Sequence, residues 1–150
     1  MRIIVDANII FSAILNTDGK IGDILLNSHN IFEFIAPRFL KEEIRKYHKK
    51  IVDISGYSNA ELLEIEDKVY KPISFLSEVH IPLSIRVSSK HLVEDIDPKD
   101  VVYIAFAKYF RCKLWSGDKV LRKGLIKKGY INIISTEELY KIRETKLLRK

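Results

Sequence analysis

The chain has 150 residues, 47% hydrophobic and 31% charged, the proportions of a folded globular protein rather than a disordered one. No apolar run reaches membrane-spanning length, and the single cysteine, Cys112, excludes an intramolecular disulfide and any cysteine-based zinc site. The formal net charge of +6 makes a polyanion the first partner to consider.

At this length one domain over residues 1–150 is expected. "RIIVD" (2–6) reads as a fully buried strand followed by helical "ANIIFSAIL". That apolar stretch is interrupted at Asp6 and Asn8 and has no basic region before it. It therefore reads as structure rather than a signal peptide, and the cytoplasm is the expected location. Thr17 is the expected cap of a second helix through "GKIGDILLN". "IFEFIAP" (31–37) predicts the next strand, with Pro37 opening a helix over 37–51. "SNAE" (58–61) carries the Ser-x-x-Glu capping-box pattern and starts a helix to about Tyr70.

"EVHIP" (78–82) predicts a short strand and 83–94 a helix. "DPKDVVYIAFAKYF" (97–110) predicts a helix with Asp97 as N-cap and Pro98 at its first position. "CKLWS" (112–116) reads as a strand, followed by a short helix from Asp118. "INIIS" (131–135) is a further strand before a basic C-terminal helix. Strands alternating with helices predict an α/β fold with a mainly parallel sheet covered on both faces. Sites in such sheets form beyond the carboxyl ends of the strands, where both Asp6 and Asp118 stand.

A carboxylate at the end of a buried strand costs several kcal/mol unless it is compensated. Asp6 and Asp118 share that position, and for Asp118 alone helix capping is a sufficient explanation. Asp100 needs another. On a helix, Ile104 and Ala107 fall within about 40° of it, so its charge is aimed along an apolar stripe. Asp97 is a cap first and an alternate site residue second. In 37–51 the apolar face is Leu40, Ile44, Tyr47 and Ile51. Glu43 borders that face, about 60° from Leu40, while Glu42 points away and stays the alternate. Three or four converging carboxylates repel unless some stay protonated or a divalent cation joins them. Hard oxygen donors without paired histidines favour Mg²⁺ or Mn²⁺ over Zn²⁺, and His29, His48, His80 and His91 read as surface residues. Basic runs at 45–50, 121–128 and 141–150 read as flanks that hold phosphates.

Together "RIIVDANIIFSAIL", "APRFLKEEI", "DPKDVVYIAFA" and "LWSGDK" resemble the PIN domain family, which includes the VapC-like toxins of toxin–antitoxin pairs. The family pattern falls on Asp6, Glu43 (or Glu42), Asp100 with Ala107, and Ser116-Gly117-Asp118. The resemblance implies a three-layer α/β/α fold with a mainly parallel five-stranded sheet. It also implies an endoribonuclease in which Asp6, Asp100 and Asp118 ligate Mg²⁺ or Mn²⁺ and Glu43 is a ligand or positions the water. Asn8 and Ser116 match polar positions beside that site. RNA as substrate, an antitoxin protein as partner and a homodimer follow from the same resemblance. The Glu42–Glu43 doublet and the insert around 52–76 depart from it.

Two other readings of the residues on a similar sheet compete, a second enzyme and a phospho-acceptor. A phosphatase of the haloacid dehalogenase type needs an Asp two residues after Asp6, where Asn8 stands; a receiver domain needs an acidic pair after the first strand. A non-catalytic nucleic-acid-binding or interaction module explains the basic charge but gives no reason for the acids.

Overall fold

A computed structural model describes residues 1–149, so the last residue of the basic run at 141–150 lies outside the described residues. The sheet is built from β1 (Arg2–Val5), β2 (Glu33–Pro37), β3 (Ile73–Leu76), β4 (Lys113–Trp115) and β5 (Ile133–Ile134). All pairings are parallel, in the order β3-β2-β1-β4-β5. Ile3, Ile4 and Val5 are fully buried because β1 is the central strand with helices on both faces. α1 (Ala7–Leu15), α2 (Lys20–Asn27), α3 (Leu40–Lys46), α4 (His48–Ser55) and α5 (Asn59–Tyr70) connect β1 to β2 to β3. α6 (Leu83–Val93) and α7 (Val101–Phe110) carry the chain back to β4, with α7 packed across β1, β2 and β4. α8 (Lys119–Lys127) leads to β5, and α9 (Thr136–Leu148) returns to lie against α2. This is the three-layer α/β/α arrangement expected from the alternation of elements.

The core centres on Trp115, which is fully buried, stacks 5.7 Å from Phe34 and donates from Nε1 to Thr136 Oγ1 at 3.0 Å. That bond ties β4 to the start of α9. Ser58–Glu61 forms the expected capping box, and Ser135–Glu138 forms a second one at α9.

Several sequence expectations need correction. α2 is capped by Gly19, not Thr17, and Thr17 sits in the preceding turn. Pro37 does not open a helix: it ends β2 opposite Leu76, beyond the last residue paired with β1, where its missing amide costs nothing on that side. The helix predicted over 37–51 is two helices broken at Tyr47, whose N–H turns back to the Ile44 carbonyl at 3.0 Å. Leu40, Ile44 and Ile51 stay buried, whereas Tyr47 is 43% exposed. The third strand is "ISFL" at 73–76, and "EVH" at 78–80 is a 3₁₀ turn. Ile73 opposite Phe34 completes the sheet edge, while Pro82 blocks a ladder further on. His48 is no free surface residue, since its Nε2 pairs with the buried Glu66 carboxylate between α4 and α5. Arg143, from the C-terminal basic run, is buried and donates to Asp23 Oδ2 at 2.7 Å. It pins α9 to α2 instead of facing a phosphate.

α2 approaches the Thr17 backbone so closely that a Cβ on Gly22 would lie 2.3 Å from the Thr17 carbonyl oxygen. Relieving that overlap outweighs the gain in helix propensity from alanine. Gly22→Ala is expected to destabilise the fold by about 1–3 kcal/mol, read as a lower urea midpoint with an unchanged slope.

Candidate active site

Parallel registration of β1 and β4 places Val5 opposite Trp115, so the next residue of each strand, Asp6 and Ser116, leaves the sheet at one edge. The chain winds outward in opposite directions from β1 and β4, which makes this edge the topological switch point. Each candidate acid also belongs to a helix beginning on this side. Asp6 precedes α1, Glu43 lies in the first turn of α3, Asp100 precedes α7 and Asp118 precedes α8. Four helix N-termini therefore direct positive dipole ends toward the acids.

Asp6 is 3% exposed, and its Oδ1 accepts from the Ile9 amide at 2.9 Å, capping α1. Burial pushes its pKa up from 3.8 to about 6, and the Asp118 charge adds to the rise. The Ile9 and Asn8 amides and the Ser116 hydroxyl oppose it by favouring the carboxylate. Asp118 caps α8, its Oδ1 accepting from the Val120 and Leu121 amides at 3.0 and 3.1 Å. Its own amide donates to Ser116 Oγ at 3.2 Å, so Ser116 bridges the two acids. Asp118 is a cap and a neighbour of Asp6 at the same time.

Asp100 sits differently from the sequence expectation. The segment Pro98–Asp100 is a 3₁₀ turn capped by Asp97, whose Oδ1 accepts from the Lys99 amide at 3.0 Å. α7 starts only at Val101, and the Asp100 side chain caps nothing. Burial pushes its pKa to about 7, aided by the charges of Asp97, Asp6 and Asp118 in that order.

Asp6, Asn8, Asp97, Asp100 and Glu43 all line one open pocket of about 690 Å³; Glu42 and Asp118 do not line it. Glu43 accepts an exposed bond from Lys46 at 3.3 Å. Lys46, Lys50 and Lys99 stand on the pocket wall among these acids. Among the described basic residues of the three runs, only Lys46 and Lys50 line it; in the other two runs Arg122 is paired with Glu138, Lys128 with Asp95 and Arg143 with Asp23.

The sequence reading missed Lys99, Phe11, Phe39 and Tyr103, which complete the pocket. Tyr103 lies three residues after Asp100, almost one helical turn, and that spacing was the available signal. Its hydroxyl is buried without a hydrogen-bond partner, near Asp6 and Glu43, and burial with those charges keeps it protonated.

Among the described residues no three His, Cys, Asp or Glu side chains stand close enough to form a ready-made metal cage. Mg²⁺ and Mn²⁺ make other demands. Mg²⁺ is commonly held by one or two carboxylates, with water and substrate phosphate completing its shell. Two carboxylates raised by burial and by neighbouring acidic charge, Asp6 and Asp100, fit that requirement, because a cation would relieve both costs.

Compared with known families, residues 4–143 match the one described as PIN domain, a span from β1 into α9. No curated protein matches the chain.

A carboxyl with a raised pKa favours the fold in its protonated form. The Asp6 contribution is complete below about pH 4 and is lost as pH rises through about 6, up to about 3 kcal/mol by pH 8. Asn keeps the helix cap and carries no charge. Asp6→Asn is expected to melt near the parent at pH 4 and several degrees above it at pH 8, as read by thermal unfolding at both values.

Proposed function

The chain belongs to the PIN domain family, and we propose that it is a metal-dependent endoribonuclease whose centre is Asp6, Glu43, Asp100 and Asp118. The family is one of nucleases, and a nucleic acid is the substrate class it implies. The observation that supports the finer reading best is the coupling of Asp6 with Asp118 and of Asp100 with both, at the edge of a pocket that also holds lysines. A structural role explains the Asp118 cap but not two carboxylates held near neutral pKa beside each other.

Bound Mg²⁺ or Mn²⁺ would neutralise phosphate charge and make a water acidic enough to attack phosphorus. Asp6, oriented by the Ile9 amide and Ser116, and Asp100, uncommitted to any cap, would hold it directly, with Asp118, set behind Asp6 through Ser116, acting on the water that completes its shell. Glu43 is a further ligand or the group that positions and deprotonates the attacking water. Asn8 faces the substrate side, and Ser116 keeps Asp6 and Asp118 at fixed spacing. Lys46, Lys50 and Lys99 take the flanking phosphates, a contact that gives affinity without sequence choice.

The resemblance extends this proposal to the toxin of a toxin–antitoxin pair, acting in the cytoplasm as one domain within a homodimer and silenced by an antitoxin. Expression in a bacterial host should then arrest growth, and the Asp6→Asn chain should not. Among the described residues no helix is long and apolar enough to cross a membrane.

Purified chain is expected to cut single-stranded RNA with Mn²⁺ or Mg²⁺, to stop on chelation and to recover on adding metal back. Asp6→Asn and Asp100→Asn should each lower the rate about 100-fold or more while the circular dichroism spectrum stays unchanged. A folded chain that binds RNA equally well with and without metal and never cleaves it is a binding module, and the enzyme reading is then wrong.

A further inference from the structure

We propose that Tyr47, braced by Phe11, is a stacking platform for one nucleobase of a single-stranded nucleic acid whose backbone runs on to the acid-lined end of the pocket. The proposal rests on the reading of this pocket as a nucleic-acid site and adds the feature that would select strand form.

Tyr47 lies on the apolar stripe of its segment, yet Leu40, Ile44 and Ile51 are at most 1% exposed and Tyr47 is 43% exposed. The break between α3 and α4 falls on this residue and turns its ring out of the core onto the pocket wall. Neither glycine nor proline causes that break, and keeping a large ring in water forgoes burial that an unbroken helix would have given. The ring is held in place. Phe11, from α1, meets it edge to face at 6.2 Å with planes 79° apart, which braces Tyr47 and leaves part of its surface to the pocket. Lys50 Nζ lies 5.9 Å from the Phe11 ring centre, and Lys46 stands one residue before Tyr47. An exposed aromatic with ammonium groups beside it matches a base and its neighbouring phosphates.

The mixture of chemistries narrows the occupant. A purely apolar ligand would leave the lysines and carboxylates unmatched, and an acidic peptide offers no planar ring to stack. In a duplex the base faces are covered by their neighbours, so only an unpaired base can present one to Tyr47.

Binding measured in chelator, where no cleavage is possible, separates this inference from the nuclease reading. The probes are a short RNA strand with 2-aminopurine at one position, the same strand with an abasic site there, and its full duplex. The parent chain is expected to quench the 2-aminopurine fluorescence. Tyr47→Ala should lose the quench and weaken single-strand binding by about fivefold to a hundredfold, while Tyr47→Phe should stay within about twofold of the parent. Abasic and duplex probes should bind both variants and the parent alike. Thermal melts equal to the parent's establish that Tyr47→Ala is folded, and Tyr47→Phe tests the ring whether or not it is. Equal binding of the intact strand by Tyr47→Ala and parent overturns the platform, as does the same loss on the abasic probe or a quench lost in Tyr47→Phe. A chain that stacks a base through Tyr47 yet cuts nothing with Mn²⁺ leaves the platform standing and removes the nuclease.

Discussion

The centre of this molecule depends on one buried carboxylate at the end of its central strand. Asp6 leaves β1 where the sheet reverses its winding, with a hydrophobic strand behind it and a helix ahead. Burial disfavours its charge, and the fold counters that with the Ile9 and Asn8 amides and the Ser116 hydroxyl. The balance leaves a carboxyl whose pKa is raised to about 6. The neighbours that keep Asp6 partly ionised also fix its direction.

The other acids depend on the same edge. Parallel strands place the N-termini of their following helices on one side of the sheet, so any acid in a first turn or cap there is brought toward Asp6. Local bonds then give those acids different freedom. Asp118 is held by two amides and Asp97 by one, whereas Asp100, between a 3₁₀ turn and α7, has no such tie. The least constrained carboxylate is also the one raised furthest, to about 7, by burial first and then by the charges of Asp97, Asp6 and Asp118.

Charge is sorted in the same physical way. Arg122, Lys128 and Arg143 are spent on Glu138, Asp95 and Asp23, fastening α8 and α9 to the rest of the fold. The lysines left on the pocket wall come from the α3–α4 corner and from the turn before α7. A net positive charge therefore says little about where an anion would lie until the internal pairs have been subtracted.

Much of this was open to reading in the sequence. The run 3–5, the capping residues Ser58 and Asp97 and the alternation of elements state local preferences that tertiary packing here reinforces. Counting residues around a helix puts Glu43 beside the apolar face and Glu42 away from it, and of the two Glu43 lines the pocket. Where the sequence failed, long-range contacts prevailed. Strand β3 exists because Ile73 finds Phe34, Pro37 ends a strand because β1 has already stopped beside it, and Tyr47 leaves the core because a helix breaks without a breaker residue. Arg143 looked like a free cation because its partner Asp23 lies 120 positions away. Local order, periodicity and the presence of acids at strand ends are properties of neighbours along the chain, and the sequence determines them by itself. Which acids meet, which cations stay free and which ring lies open are set by contacts between distant segments, and those the tertiary structure alone decides.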